Sequence, residues 1–188
     1  MNSSLHGEYT DTEIKQALDS MGDLKAPGVE GMPALFYKQY LEIIGADVTQ
    51  EVKQVLSGGA MPKGWNETVV VLIPKVKKPD QLKDLRPISL CNVVYKIASK
   101  VLSNHLKIIL PEVISSNQSA FVPRRMVTDN VILAYELTHF LQMKSSSRDS
   151  YAAVKLYMSK AYDRVEWSFL RRMMLKLGFN EQCVNIIM

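Results

Sequence analysis

Five cations, Lys75, Lys77, Lys78, Lys83 and Arg86, fall in one short segment, opposed only by Asp80 and Asp84. Lysine and arginine side chains donate hydrogen bonds and accept none. Such a cluster reads in two ways: as a phosphate-facing patch, or as a solvated loop kept soluble by its lysines. The element that would aim it is TVVVLI, Thr68 to Ile73, a short, continuous, β-branched run closed by Pro74. This pattern predicts a buried strand that delivers Lys75 from its end.

The remaining elements are mostly helical. Thr10 followed by Glu13 forms the pattern of a capping box, and Ile14, Ala17, Leu18 and Met21 then recur at helical spacing up to Gly22. KAPGVEG, Lys25 to Gly31, reads as a turn. Phe36, Tyr37, Tyr40, Leu41 and Ile44 make one further helical stripe; Val48, Val52, Val55 and Leu56 make another, ending at Gly58 and Gly59. Cys91 to Leu110 is the best-defined helix, with Pro111 expected to stop it. Asp129 is the expected cap of a helix through Leu133, Leu137, Phe140 and Leu141, followed by a polar loop from Lys144 to Ser150. The last third reads as a strand over Tyr151 to Met158, a helix lined by Trp167, Leu170, Met174 and Leu177 that ends at Gly178, and one more helix starting at Asn180.

Composition sets the outer bounds. The 188 residues are 47% hydrophobic and 22% charged, enough to bury a core and too apolar for general disorder, with a net charge of +4. One domain, or a piece of a larger one, is expected. Cys91 and Cys183 are far apart and set up no disulfide or metal framework, which fits an intracellular, reducing location. No stretch reaches the roughly 18 apolar residues of a membrane span, and the polar start MNSSLHGEYTD does not read as a signal peptide. Oligomeric state is not legible here.

The wording of the segments goes further than their periodicity. MPKGWNETVVVLIPKVKKPDQLKDLRPISLCNVVYKIASKVLSNHL resembles the fingers of LINE-type, non-LTR retrotransposon reverse transcriptases, especially those abundant in plant genomes. NQSAFVPRRMVTDNVILAYEL and YAAVKLYMSKAYDRVEWSFLRRMMLKLGF continue the resemblance in unbroken order. It implies an α+β, predominantly helical chain: the fingers and partial palm of a right-hand reverse transcriptase fold. Residues 1–24 would form an N-terminal helical extension, and residues 25–188 a partial reverse transcriptase domain. By this resemblance Lys75 and Arg86 hold the triphosphate of the incoming nucleotide, for which cations are suited and Arg can bind bidentately. Tyr162 in KAYDRV would pack beneath the nucleotide sugar as a steric gate. Gln118, Phe121 and Arg125 in NQSAFVPRR would lie near template and nucleotide, with Arg124 standing where the family usually has glycine.

The resemblance departs from the family at its chemical centre. Tyr157 occupies the position of the first metal-binding aspartate. Nucleotide addition uses two Mg²⁺ ions; Mg²⁺ is a hard cation that takes carboxylate oxygens, whereas a phenol with an ordinary pKa of about 10 is neutral near pH 7. Asp163 already has its own place in the family pattern and is not expected to substitute. Val29 and Glu30 stand where the family has proline and aspartate, a loss of turn chemistry. The second catalytic motif, aromatic-Ala-Asp-Asp, is expected beyond Met188, as is the thumb. RNA template, DNA primer, dNTP and Mg²⁺ are the partners and cofactor of the intact family, and this chain is expected to bind no metal. The expectation is therefore an RNA-directed DNA polymerase by descent that is inactive as written. Its alternatives are a non-catalytic nucleic-acid-binding module, or an excerpt of a longer active polymerase.

Overall fold

The computed structural model describes residues 7–144 and 151–188. The chain divides into two compact units, His6–His105 and, for the most part, Leu106–Met188, each with its own apolar cluster.

The first unit begins with α1, Asp11–Asp19. The capping box forms as the sequence predicts: the Thr10 hydroxyl accepts from the Glu13 amide at 3.2 Å, and the Glu13 carboxylate accepts from the Thr10 amide at 2.9 Å. The same carboxylate meets His105 Nε2 at 3.0 Å, and His105 is 7% exposed. Glu13 is held below its ordinary value of 4.5 chiefly by the Thr10 amide, with the Thr10 hydroxyl and His105 adding and burial opposing. An acid depressed in this way stabilises the fold above its unfolded pKa, and that contribution is lost as pH falls through the lower folded value. Glu13→Gln is thus expected to cost about 0.5–1 kcal/mol at neutral pH, reduced by salt because the side chain is 39% exposed. Melts of the two proteins should draw together as pH falls below 4.5 through the lower folded value of Glu13.

Two helices follow, α2 at Ala34–Gln39 and α3 at Leu41–Leu56. They divide at Tyr40 rather than between the two expected stripes, because Tyr40 leaves the helical region at φ −100°, ψ 16°. Strand β1, Thr68–Pro74, pairs antiparallel with β2, Leu85–Cys91. The expected strand is present, but it is not buried: every residue of β1 is exposed, Val70 by 58%. A two-stranded ribbon has two open faces, and among the described residues nothing covers β1 enough to bury it. Helix α4 then runs Val93–Val113. Ile14, Ala17, Leu18, Ala34, Tyr37, Val52, Leu56, Val93, Ile97, Ala98 and Val101 form this unit's core.

The N-terminus of α4 explains the KAPGVEG turn. Glu30 Oε1 accepts from the Val93 amide at 2.6 Å, and Asn92 Oδ1 accepts from the Glu30 amide at 3.4 Å while its Nδ2 donates to the Gly64 carbonyl at 2.8 Å. A carboxylate at a helix start satisfies orphan N–H groups and the macrodipole together. A Cβ on Gly28 would stand 2.3 Å from Asn92 Oδ1, so only glycine lets the turn lie against this cap.

Pro111 does not stop α4, which continues to Val113. The acceptor left without its donor is the Lys107 carbonyl, on an exposed residue near the helix end where water can replace the lost bond.

In the second unit, α5 spans Val127–Met143. Asp129 is not its cap: Met126 holds that position and Asp129 lies in the first turn, where its charge favours the dipole. None of the residues of α5 is buried. The expected loop at Lys144 to Ser150 falls, after Lys144, outside the described residues. Tyr151 to Met158 is not a strand. It is exposed and irregular, because a strand exists only by pairing and no described segment pairs with it. A single turn, α6 at Ala161–Arg164, precedes α7, Trp167–Lys176, and α8, Glu181–Ile187. Helix α7 gives way to Gly178 at φ 91°, and the Asn180 side chain caps α8 by accepting from the Cys183 amide, both as the sequence predicts. Ile109, Met174, Phe179, Cys183 and Val184 form the second core. Burial there pushes the Cys183 thiol up.

Candidate functional site: a basic hairpin and the segments of the family motifs

The β1–β2 ribbon brings together the two cations expected to hold a triphosphate. Its register sets Ile73 opposite Arg86 and Pro74 opposite Leu85, so Arg86 and Lys75 both stand at the hairpin's loop end. The reading of the sequence missed β2, whose pairing is what places Arg86. The loop is internally braced: Asp84 Oδ2 accepts from the amides of Asp80 and Gln81 at 3.3 and 3.2 Å, and the Lys75 amide donates to the Asp84 carbonyl at 2.8 Å. The Lys75 ammonium donates to the Lys83 carbonyl at 2.8 Å. With Asp84 turned inward to the backbone, Lys77, Lys78 and Arg86 remain exposed at a net positive tip.

Gln118, Phe121 and Arg125 share the loop between α4 and α5. Gln118 and Phe121 are exposed, Phe121 by 84%. Arg125 is engaged with backbone: Nη1 donates to the Gln118 carbonyl at 2.7 Å and to that of Ser115, and Nη2 to those of Ile114 and Pro111 at 3.2 and 3.5 Å. The guanidinium thus joins the Pro111 carbonyl, in the last turn of α4, to three carbonyls just past it, near the helix end that favours a cation. No spacing rule would have found this role, since the partners are scattered over the preceding loop.

Arg124 sits in the left-handed region at φ 64°, as does Phe121. The sequence flagged Arg124 as occupying a glycine position, and the backbone there has the conformation glycine adopts without strain. Arg124→Gly is therefore expected to stabilise this unit by up to about 1 kcal/mol, read as a higher urea midpoint at an unchanged slope.

Tyr157 is 83% exposed in the irregular segment, and Tyr162, also 83% exposed, lies with Asp163 on α6. Among the described residues no three His, Cys, Asp or Glu side chains converge. An exposed phenol does not suit Mg²⁺, a hard cation that takes carboxylate oxygens.

The pattern of the family described as reverse transcriptase (RNA-dependent DNA polymerase) matches residues 74–188. The transposon TX1 uncharacterized 149 kDa protein of Xenopus laevis is 33% identical over 175 residues, covering 93% of this chain and 13% of that protein. The probable RNA-directed DNA polymerase from transposon BS of Drosophila melanogaster is 25% identical over 163 residues, covering 81% of this chain and 17% of that protein. The chain thus spans a small part of the length of these relatives. The matched pattern runs from the end of β1 to Met188, more than half of the chain, and on that ground the chain belongs to the reverse transcriptase (RNA-dependent DNA polymerase) family.

Proposed function

We propose that this chain is the fingers and the start of the palm of a transposon reverse transcriptase. It would bind nucleic acid and nucleotide phosphates through its basic hairpin, and it does not itself carry out nucleotide addition. The observation that supports binding is the pairing of β1 with β2, which sets Lys75 and Arg86 at one exposed tip. Reverse transcriptases generally use Mg²⁺ and act on an RNA template, a DNA primer and dNTPs. In this reading Lys75 and Arg86 meet the triphosphate, Tyr162 meets the sugar, and Gln118 and Phe121 lie near the template, in the positions that match the family motifs. Arg125 acts by holding their loop. Tyr157 in place of the aspartate removes the carboxylate that metal binding needs, so no chemical step is assigned to this chain.

Fluorescence anisotropy with a labelled primer–template tests the binding half. Affinity is expected to fall linearly with the logarithm of salt, and Lys75→Ala and Arg86→Ala should each weaken binding regardless of sequence and reduce the salt slope by about 1. Binding that ignores salt, or that both variants leave unchanged, would remove the hairpin from the account.

A further inference from the structure

We propose that a cavity within the His6–His105 unit is a second phosphate-binding site, remote in sequence from the hairpin loop. Its volume is about 310 Å³, at the lower end of ligand-sized pockets (about 300–1,000 Å³). Met21, Ala34 and Val93 give it an apolar floor, and Lys25, Lys96 and Lys100 give it cationic walls. The lysines come together by construction. Lys96 and Lys100 are one turn apart on α4 and so share a face, while Lys25 reaches over from the loop after α1. Gly22 lies directly beneath Lys25: a Cβ there would stand 3.0 Å from the Lys25 Cε.

The charge of this cavity is uncompensated. No acidic residue lines it, and none of the three ammonium groups forms an ion pair with a described carboxylate. Of the acids nearest in sequence, Asp23 pairs with Lys38 at 2.7 Å, and Glu30, whose Oε1 accepts from the Val93 amide and whose Oε2 is buried without a partner, does not line the cavity. Lys96 gives one hydrogen bond to the Ala26 carbonyl at 3.1 Å, and an ammonium has two more to give. Like charges around an apolar-floored concavity repel one another and focus a positive potential into it. The group that relieves this is an anion with several acceptor oxygens and more than one negative charge, which describes a phosphate better than a carboxylate. That phosphate belongs either to a small phosphate-bearing molecule or to a nucleic-acid backbone. The inference goes beyond the hairpin reading and stands without it.

Backbone amide NMR on the full chain, titrated separately with inorganic phosphate and with a short single-stranded oligonucleotide, tests it. The amides of Met21, Lys25, Val93 and Lys96 are expected to shift with at least one probe. Shifts with phosphate alone would assign the site to small phosphate compounds; shifts that need the oligonucleotide would assign it to a nucleic-acid backbone. The Lys25→Gln/Lys96→Gln/Lys100→Gln variant should lose those shifts while its remaining spectrum stays folded, and the triple Lys→Arg variant should keep them. The Lys75→Ala/Arg86→Ala variant should also keep the cavity shifts produced by phosphate, which separates this site from the hairpin. Absence of cavity shifts with both probes, or shifts that survive the triple Gln replacement, would overturn the proposal.

Discussion

Arg125→Ala is expected to destabilise the Leu106–Met188 unit by about 1.5–3 kcal/mol, the range for hydrogen bonds to a charged group. The guanidinium joins four carbonyls, those of Pro111, Ile114, Ser115 and Gln118, and so ties the loop carrying Gln118 and Phe121 to the end of α4. Without it those carbonyls lose their donor, and a cation is removed from a helix C-terminus. Arg125→Lys should recover only part of the loss, because an ammonium is a point donor and cannot fork across several acceptors. Cys183, 4% exposed in this unit's core, reports the result: its reaction with a thiol reagent should begin at lower urea in the alanine variant. An unchanged profile would mean that the carbonyl contacts hold nothing in place. The expected shift to lower urea would make this motif residue a stabiliser of its own loop.

Ile97→Ala is expected to cost about 2–5 kcal/mol in the His6–His105 unit. Ile97 is 0% exposed and packs within the cluster that joins α1, α2, α3 and the first half of α4, so its truncation leaves a cavity that helix packing closes only in part. Against a total stability of about 5–15 kcal/mol for a domain, that is enough to unfold a marginal unit. Trp65 packs against the same cluster, and its fluorescence should show a lower urea midpoint with an unchanged slope. The same unit positions the hairpin and the lysine cavity, so the variant should also lose phosphate-dependent binding wherever it is unfolded.

Much of the helical fold is legible because helices are local. The Thr10–Glu13 box, the Gly178 stop and the Asn180 cap are each decided within a few residues, and the structure has all three. Sheet structure is less legible because pairing is not local. Leu85–Cys91 follows a lysine-rich loop, carries Pro87 and does not look like a strand, yet it pairs along the whole length of β1. Pro87 is tolerated because each strand of a two-stranded ribbon is an edge strand. Tyr151 to Met158 errs the other way, with a strand-like composition and no described partner.

The candidate site divides along the same line. The cations were visible as residue types, and the strained Arg124 backbone was visible as a missing glycine. Their assembly was not: the hairpin register depends on a partner strand the sequence does not advertise, and the Arg125 carbonyl contacts on the irregular fold of the loop before it. Glu30 is similar. In sequence it reads as lost turn chemistry, whereas the structure uses its carboxylate to cap α4.

The most direct measurement is primer extension by the purified chain, on an RNA template with an annealed DNA primer, dNTPs and Mg²⁺, under salt conditions where binding has been established. No product above the protein-free control is expected, because Tyr157 offers a phenol where nucleotide addition needs a carboxylate ligand for the metal. Extension by the chain, abolished by Lys75→Ala or Arg86→Ala, would contradict it.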